Sequence, residues 1–306
     1  MIQFDDLPPL RRPVMIAAFE GWNDAGEAAT DLVSHLSEAW DAEPVAAIDP
    51  EEYYDFQVTR PRVVSQGGER LVTWPTTRIL HATLHGEDRD VLLVEGIEPS
   101  VRWRAFTEEL LDLAEQAGVE LLITLGAYLA PIPHTRPIGT DVSSESSELA
   151  HRFDIVPSSY EGPTGIVGVI ALAAEQIGMP AVSAWAAIPH YAGSAPSPKA
   201  SLALLGRLEE LLDITIPRGD FPEDAVAWQH GVDELASGDE DVAEYISSLE
   251  EAQDTAELPE ASGEAIAREF EKFLRRRDSD GPGPGPGPGP DPGPGPGGPP
   301  GKDLGH

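Results

Sequence analysis

The stretch VMIAAFEGWNDAGEAATDLVSHL (14–36) decides the fold. Its first six residues, Val14–Phe19, are all apolar, which reads as a strand buried on both faces rather than one that alternates core and solvent. Polar residues and two glycines follow at Glu20–Gly26, and then a helical pattern runs to about Leu36. A buried strand feeding a polar turn and then a helix is the repeating unit of an α/β fold.

The same unit recurs downstream. Strands are expected at PVAAI (44–48), RLVTW (70–74), TRILHATL (77–84), VLLVEG (91–96), ELLITLGAYL (120–129) and AVSAWAAI (181–188). Helices are expected over about 103–117, after Pro163, and over about 199–212. Apolar strands separated by helices imply a mostly parallel sheet covered on both faces, spanning residues 1–218.

Composition changes near residue 218 and again near residue 278. Residues 219–280 carry 19 Asp and Glu against five Lys and Arg, with helical patterns at about 223–236, 239–253 and 262–276. In the second of these, Val242, Tyr245, Ile246 and Leu249 form one apolar stripe, which must pack on the core or dock another protein. The region 219–277 therefore reads as an acidic helical extension. Residues 278–306 contain a Gly-Pro repeat of period two, unlike the period-three glycine of collagen, and read as an extended tail outside the fold.

Charge and residue usage narrow the function. A formal net charge of -34 opposes nucleic acid and anionic membrane surfaces as partners. With no cysteine there is no disulfide framework, thiolate metal site or cysteine nucleophile. No apolar run reaches membrane-spanning length, and the first twenty residues lack a signal core, so a cytoplasmic location is expected. Neither a nucleophile elbow, a phosphate loop, a dinucleotide fingerprint nor zinc spacing occurs, and no cofactor, metal or catalytic residue is expected.

Three loops carry the polar residues of interest. Strand 14–19 brings Glu20 to the carboxyl edge of the sheet, where open α/β folds place ligands. Asn23 or Asp24 could cap the following helix or contact a ligand there. In YEGPTGIVGVIA (160–171), Gly162, Thr164 and Gly165 precede a helix whose free amides could hold an anion, although Thr164 could equally serve as its cap. Glu95 could join Glu20 at the same edge. His134 and Arg136, in LGAYLAPIPHTRP (125–137), and His190 lie on loops beyond strand ends, where packing roles are the plainer reading.

The segments 14–36, VLLVEGIEPSVRW (91–103), LITLGAYLAPIPHTRP (122–137), YEGPTGIVGVIA (160–171) and AAIPHYAGSAPSPKASLALL (186–205) resemble, in order and spacing, the proteasome assembly chaperone 2 family in its actinobacterial form. That resemblance covers nearly all of residues 10–215. It implies a three-layer α/β/α sandwich similar to the phosphorylase/hydrolase type, homo-oligomeric, with protein partners that include proteasome subunits. Relatives also dock through a C-terminal motif with a penultimate tyrosine; here the end reads Asp303-Leu304-Gly305-His306, so that mode is not expected. The expected function is a non-enzymatic protein-binding oligomer. The alternative is a small-molecule-binding protein or hydrolase-like enzyme at the sheet's carboxyl edge, with Glu20, Asn23, Asp24, Glu95, Gly162, Thr164 and Gly165 as ligand contacts.

Overall fold

The computed structural model describes residues 3–4, 9–84, 86–155 and 157–257. The expected helix over 262–276 and the Gly-Pro tail lie outside these residues. In chain order the elements are β1 (Gln3–Phe4), β2 (Val14–Glu20), α1 (Ala28–Ala39), β3 (Glu43–Ile48), β4 (Arg62–Gln66), β5 (Glu69–Thr73), β6 (Thr77–Leu84) and β7 (Arg89–Ile97). They continue with α2 (Trp103–Gln116), β8 (Leu121–Ala130), β9 (Thr140–Ser143), α3 (Ser147–Phe153), α4 (Ile166–Gln176) and β10 (Ala181–Pro189). The last three helices are α5 (Pro198–Leu212), α6 (Phe221–Ser237) and α7 (Glu240–Glu257).

Eight strands form one sheet in the order β1-β3-β6-β7-β2-β8-β10-β9. The four central strands, β7, β2, β8 and β10, are mutually parallel, while β6 and β9 flank them antiparallel. Because β3 is antiparallel to β6, it runs with the central four, so five of the eight strands share a direction.

The unbroken apolar run in β2 explains the layering. Its side chains alternate between two separate cores: Val14, Ile16 and Ala18 enter one, Met15, Ala17 and Phe19 the other. The first core is closed by α1 and α5 through residues such as Leu32, Leu36, Leu204 and Leu208. The second is closed by α2 and α4 through Phe106, Leu110, Ile166 and Ile170, with Phe19 edge-on to Phe106 at 5.7 Å. The fold is therefore a three-layer α/β/α sandwich, as the sequence pattern anticipates.

One strand sits elsewhere than the pattern suggests. RLVTW contributes β5, which pairs only with β4 in a two-stranded ribbon whose strand residues are all exposed. The turn between them, Gly67-Gly68, holds φ of +60° and +87°, the conformation that folds a tight hairpin and that glycine adopts without strain. That reversal pairs β5 with its own neighbour instead of the sheet.

The described residues through Gln253 form one compact unit. Within it, α6 packs along α5, and Ile246 and Leu249 of α7 are buried, so half of the acidic helix's stripe faces the body. Among the described residues, no helix is long and apolar enough to cross a membrane.

Candidate functional site

The loop leaving β2 is fixed from three directions. The Asn23 carbonyl accepts a hydrogen bond from the Ala127 amide at 2.7 Å, tying the loop to β8. The Asp24 carboxylate accepts from the Ala29 amide at 2.7 Å and from the Thr30 amide and hydroxyl, so it caps α1 from three residues before the formal cap position. Asn23 Nδ2 donates to Glu98 Oε1 at 2.7 Å. Both Asn23 and Asp24 are buried. Burial pushes the Asp24 carboxyl up to about 6, against the pull of the hydrogen bonds it accepts.

Glu98 is the residue that the sequence did not single out. The same Oε1 that receives Asn23 also accepts from the Ile166 amide at 2.9 Å, at the first residue of α4. The exposed amides there suit an anion, and the protein supplies one from the loop after β7. Thr164 is therefore not the helix cap: α4 starts after Gly165, which makes no side-chain capping bond. Gly165 instead gives Asn23 room, since a Cβ there would lie 2.0 Å from Asn23 Oδ1. Glu98 lies 68 residues from Ile166 in the chain. The only local signal was a second carboxylate in VEGIEPS, three residues after Glu95.

In front of this braced wall lies an open cleft of about 2400 Å³. It runs along the carboxyl ends of β2, β7 and β8 and is bordered by the 157–164 loop and the base of the β4–β5 hairpin. Glu20, Asp24, Glu95, Gly162 and Thr164 all line it, whereas Asn23 and Gly165 are not on its wall. Nine carboxylate side chains line the cleft against two arginines, Arg62 and Arg78. Arg78 is paired with Glu95 at 2.6 Å. The Glu20 carboxyl is raised above its ordinary value by desolvation, with Arg62 opposing and Glu27 and Glu95 reinforcing the shift. Apolar surface is interleaved with this charge: Trp22 and Tyr160 are about two-thirds exposed, and Trp74, Leu129 and Leu172 about half. Tyr128 is steadied by donating to Asp141 at 2.5 Å.

His134 belongs to a separate cluster behind β8. It is buried, with Nε2 2.9 Å from Asp233 of α6 and Nδ1 2.9 Å from the Tyr191 hydroxyl. Lys199 donates to the His134 carbonyl at 2.6 Å and to Gln229 of α6 at 2.7 Å. Arg136 and Thr135 bond Glu250 of α7. The Pro-His loop is thus the seat on which the acidic helices rest. His190 packs its ring edge-on against Tyr245 of α7 at 5.5 Å. Neither histidine lines the cleft.

A family model described as the PAC2 family matches residues 18–236. The chain belongs to the PAC2 family. The match includes the whole braced loop, the cleft and all but the last residue of α6. A PAC2 family protein from Streptomyces avermitilis is 55% identical, with a TM-score of 0.73 over 76% of this chain and 99% of that one. A Mycobacterium tuberculosis protein described as a proteasome-assembly chaperone homologue is 46% identical, with a TM-score of 0.70 and the same coverages. An archaeal homologue of proteasome-assembly chaperone from Pyrococcus furiosus, 15% identical with a TM-score of 0.56, covers 83% of this chain and all of its own and shares the fold. No curated protein matches the chain.

Proposed function

We propose that this PAC2 protein is a non-enzymatic, self-associating protein-binding factor of the proteasome-assembly-chaperone type, with proteasome subunits as its partners. The observation that carries this reading is the cleft. At about 2400 Å³ it exceeds the roughly 300–1,000 Å³ of small-molecule pockets, and it carries aromatic anchors between carboxylates as a polypeptide-binding surface does. The 46% identity to a proteasome-assembly chaperone homologue supports the partner class. The polar groups that a catalytic reading would use are engaged in structure: Asp24 caps α1, and Glu98 fills the anion seat of α4. The test mixes the purified full chain with purified proteasome α subunits from the same organism and follows complexes by native mass spectrometry. A defined complex supports the proposal, and its absence under conditions where both proteins are folded overturns it.

A second reading has one specific support: Glu20, Asp24 and Glu95 converge on one wall, with Glu20 and Asp24 both raised in pKa. A small-molecule site there would show as thermal stabilisation by nucleosides, amino acids or phosphates. A flat response to all three classes removes it.

A further inference from the structure

The β4–β5 hairpin is built like an element that belongs inside something. Cross-strand pairs place Val64 opposite Leu71 and Val63 opposite Val72. Adjacent residues on a strand point to opposite faces, so the hairpin carries an apolar pair on each face, the pattern of a ribbon covered on both sides. Yet all four residues are exposed, and a lone two-stranded ribbon is marginal in water. Its charge is also unlike that of the chain. Residues 60–74 hold Arg60, Arg62 and Arg70 against Glu69, a local balance of +2 in a protein of net charge -34.

The complementary surface lies on the same molecule. The cleft offers exposed Trp22, Tyr160 and Leu172 among its carboxylates, of which Glu27, Glu145 and Glu161 have no ion pair among the described residues. We infer that the acidic, aromatic cleft of one copy receives the basic, apolar β4–β5 hairpin of a second copy. The hairpin's Val and Leu pairs meet the exposed aromatic and leucine side chains, and Arg60 and Arg70 meet the unpaired carboxylates. Burial of both apolar faces supplies the attraction, and opposite charge sets the register. The interface joins two different patches, so it closes either by reciprocal exchange between two copies or as a ring.

This inference rests on the self-associating part of the function proposed above and adds the surfaces that meet. Sedimentation velocity of the full chain is compared with two charge-reversal variants, Arg60→Glu/Arg70→Glu on the hairpin and Glu145→Arg/Glu161→Arg in the cleft. All four side chains are exposed, and circular dichroism verifies that each variant keeps the fold. Each variant alone is expected to self-associate roughly tenfold more weakly or worse, because like charges then face each other, and mixing the two is expected to restore assembly. The chain has no native cysteine, so Ser65→Cys and Leu172→Cys, made in separate chains and mixed, report contact through a bismaleimide without background. A monomeric wild type overturns both the oligomeric reading and this one. An oligomer indifferent to the hairpin variant, or without the mixed cross-link, overturns this inference alone. Binding of proteasome α subunits is read separately.

Discussion

Asn23, on the loop after β2, and Ile166, the first residue of α4, donate to one and the same oxygen of Glu98, at 2.7 and 2.9 Å. This shared acceptor couples the first loop of the sheet to the start of α4. Glu98→Ala leaves the Asn23 amide and the α4 terminus without their partner and should destabilise the protein by about 1–3 kcal/mol, as for hydrogen bonds to charged groups. Glu98→Gln keeps an acceptor and should cost less. Chemical denaturation of both variants checks the order, and equal losses would contradict a role for the charge.

Gly165→Ala tests the same junction from the other side. A methyl group at that position collides with Asn23, so Asn23 must move and release Glu98. The expected loss resembles that of Glu98→Ala, and the double variant should lose clearly less than the sum, because both changes break one network.

Asp24 sets a pH dependence with a definite sign. Its carboxyl titrates at about 6 in the folded protein against 3.8 ordinarily, so between these values the folded state binds more proton than the unfolded state. Its ionisation therefore opposes folding above about pH 6, and this penalty fades as pH falls toward about 4. Replacing it with Asn, which retains an acceptor for the Ala29 amide, should make the stability-against-pH curve less negative in slope across that window. Unchanged slope in thermal melts across the window would refute the assignment.

His134→Ala should cost more than Asp233→Ala. His134 is buried between Tyr191 and Asp233, and its loss leaves the Tyr191 hydroxyl only the backbone amide of residue 134 as a partner and opens a hole, for about 2–3 kcal/mol. Asp233 is about half exposed and can turn to water. Limited proteolysis should then cut first within α6 and α7 in the His134 variant.

Trp22→Ser and Tyr160→Ser separate binding from folding. Both side chains are mostly exposed, so unfolding free energies should stay within about 0.5 kcal/mol of wild type while protein binding at the cleft weakens. Retained affinity in the double variant would place the partner elsewhere.

The sheet was legible because Val14–Phe19 of β2 has no polar residue to mark an exposed face, and the two-core layering follows from that single fact. Asp24 as a helix cap was also readable, from its position just before an apolar helical pattern. Three things were not. RLVTW has the composition of a sheet strand, and only the preceding Gly67-Gly68 shows that it turns back on β4. Glu98 acts across 68 residues, beyond any local pattern. The seat under the acidic helices is formed by His134, a single histidine with no spacing motif, whose partners arrive from α6 and the loop after β10.

The position of β2 also has a consequence during synthesis. It is the second strand made, yet its two neighbours are Val91–Ile97 on one side and Leu121–Thr124 on the other. A nascent chain that has emerged only to residue 90 therefore presents Val14–Phe19 with both edges open and with the face that α2 and α4 later cover still bare. Final assembly waits for the ribosome to deliver β8, and until then this segment is one that a cell has reason to shield from other unfinished chains.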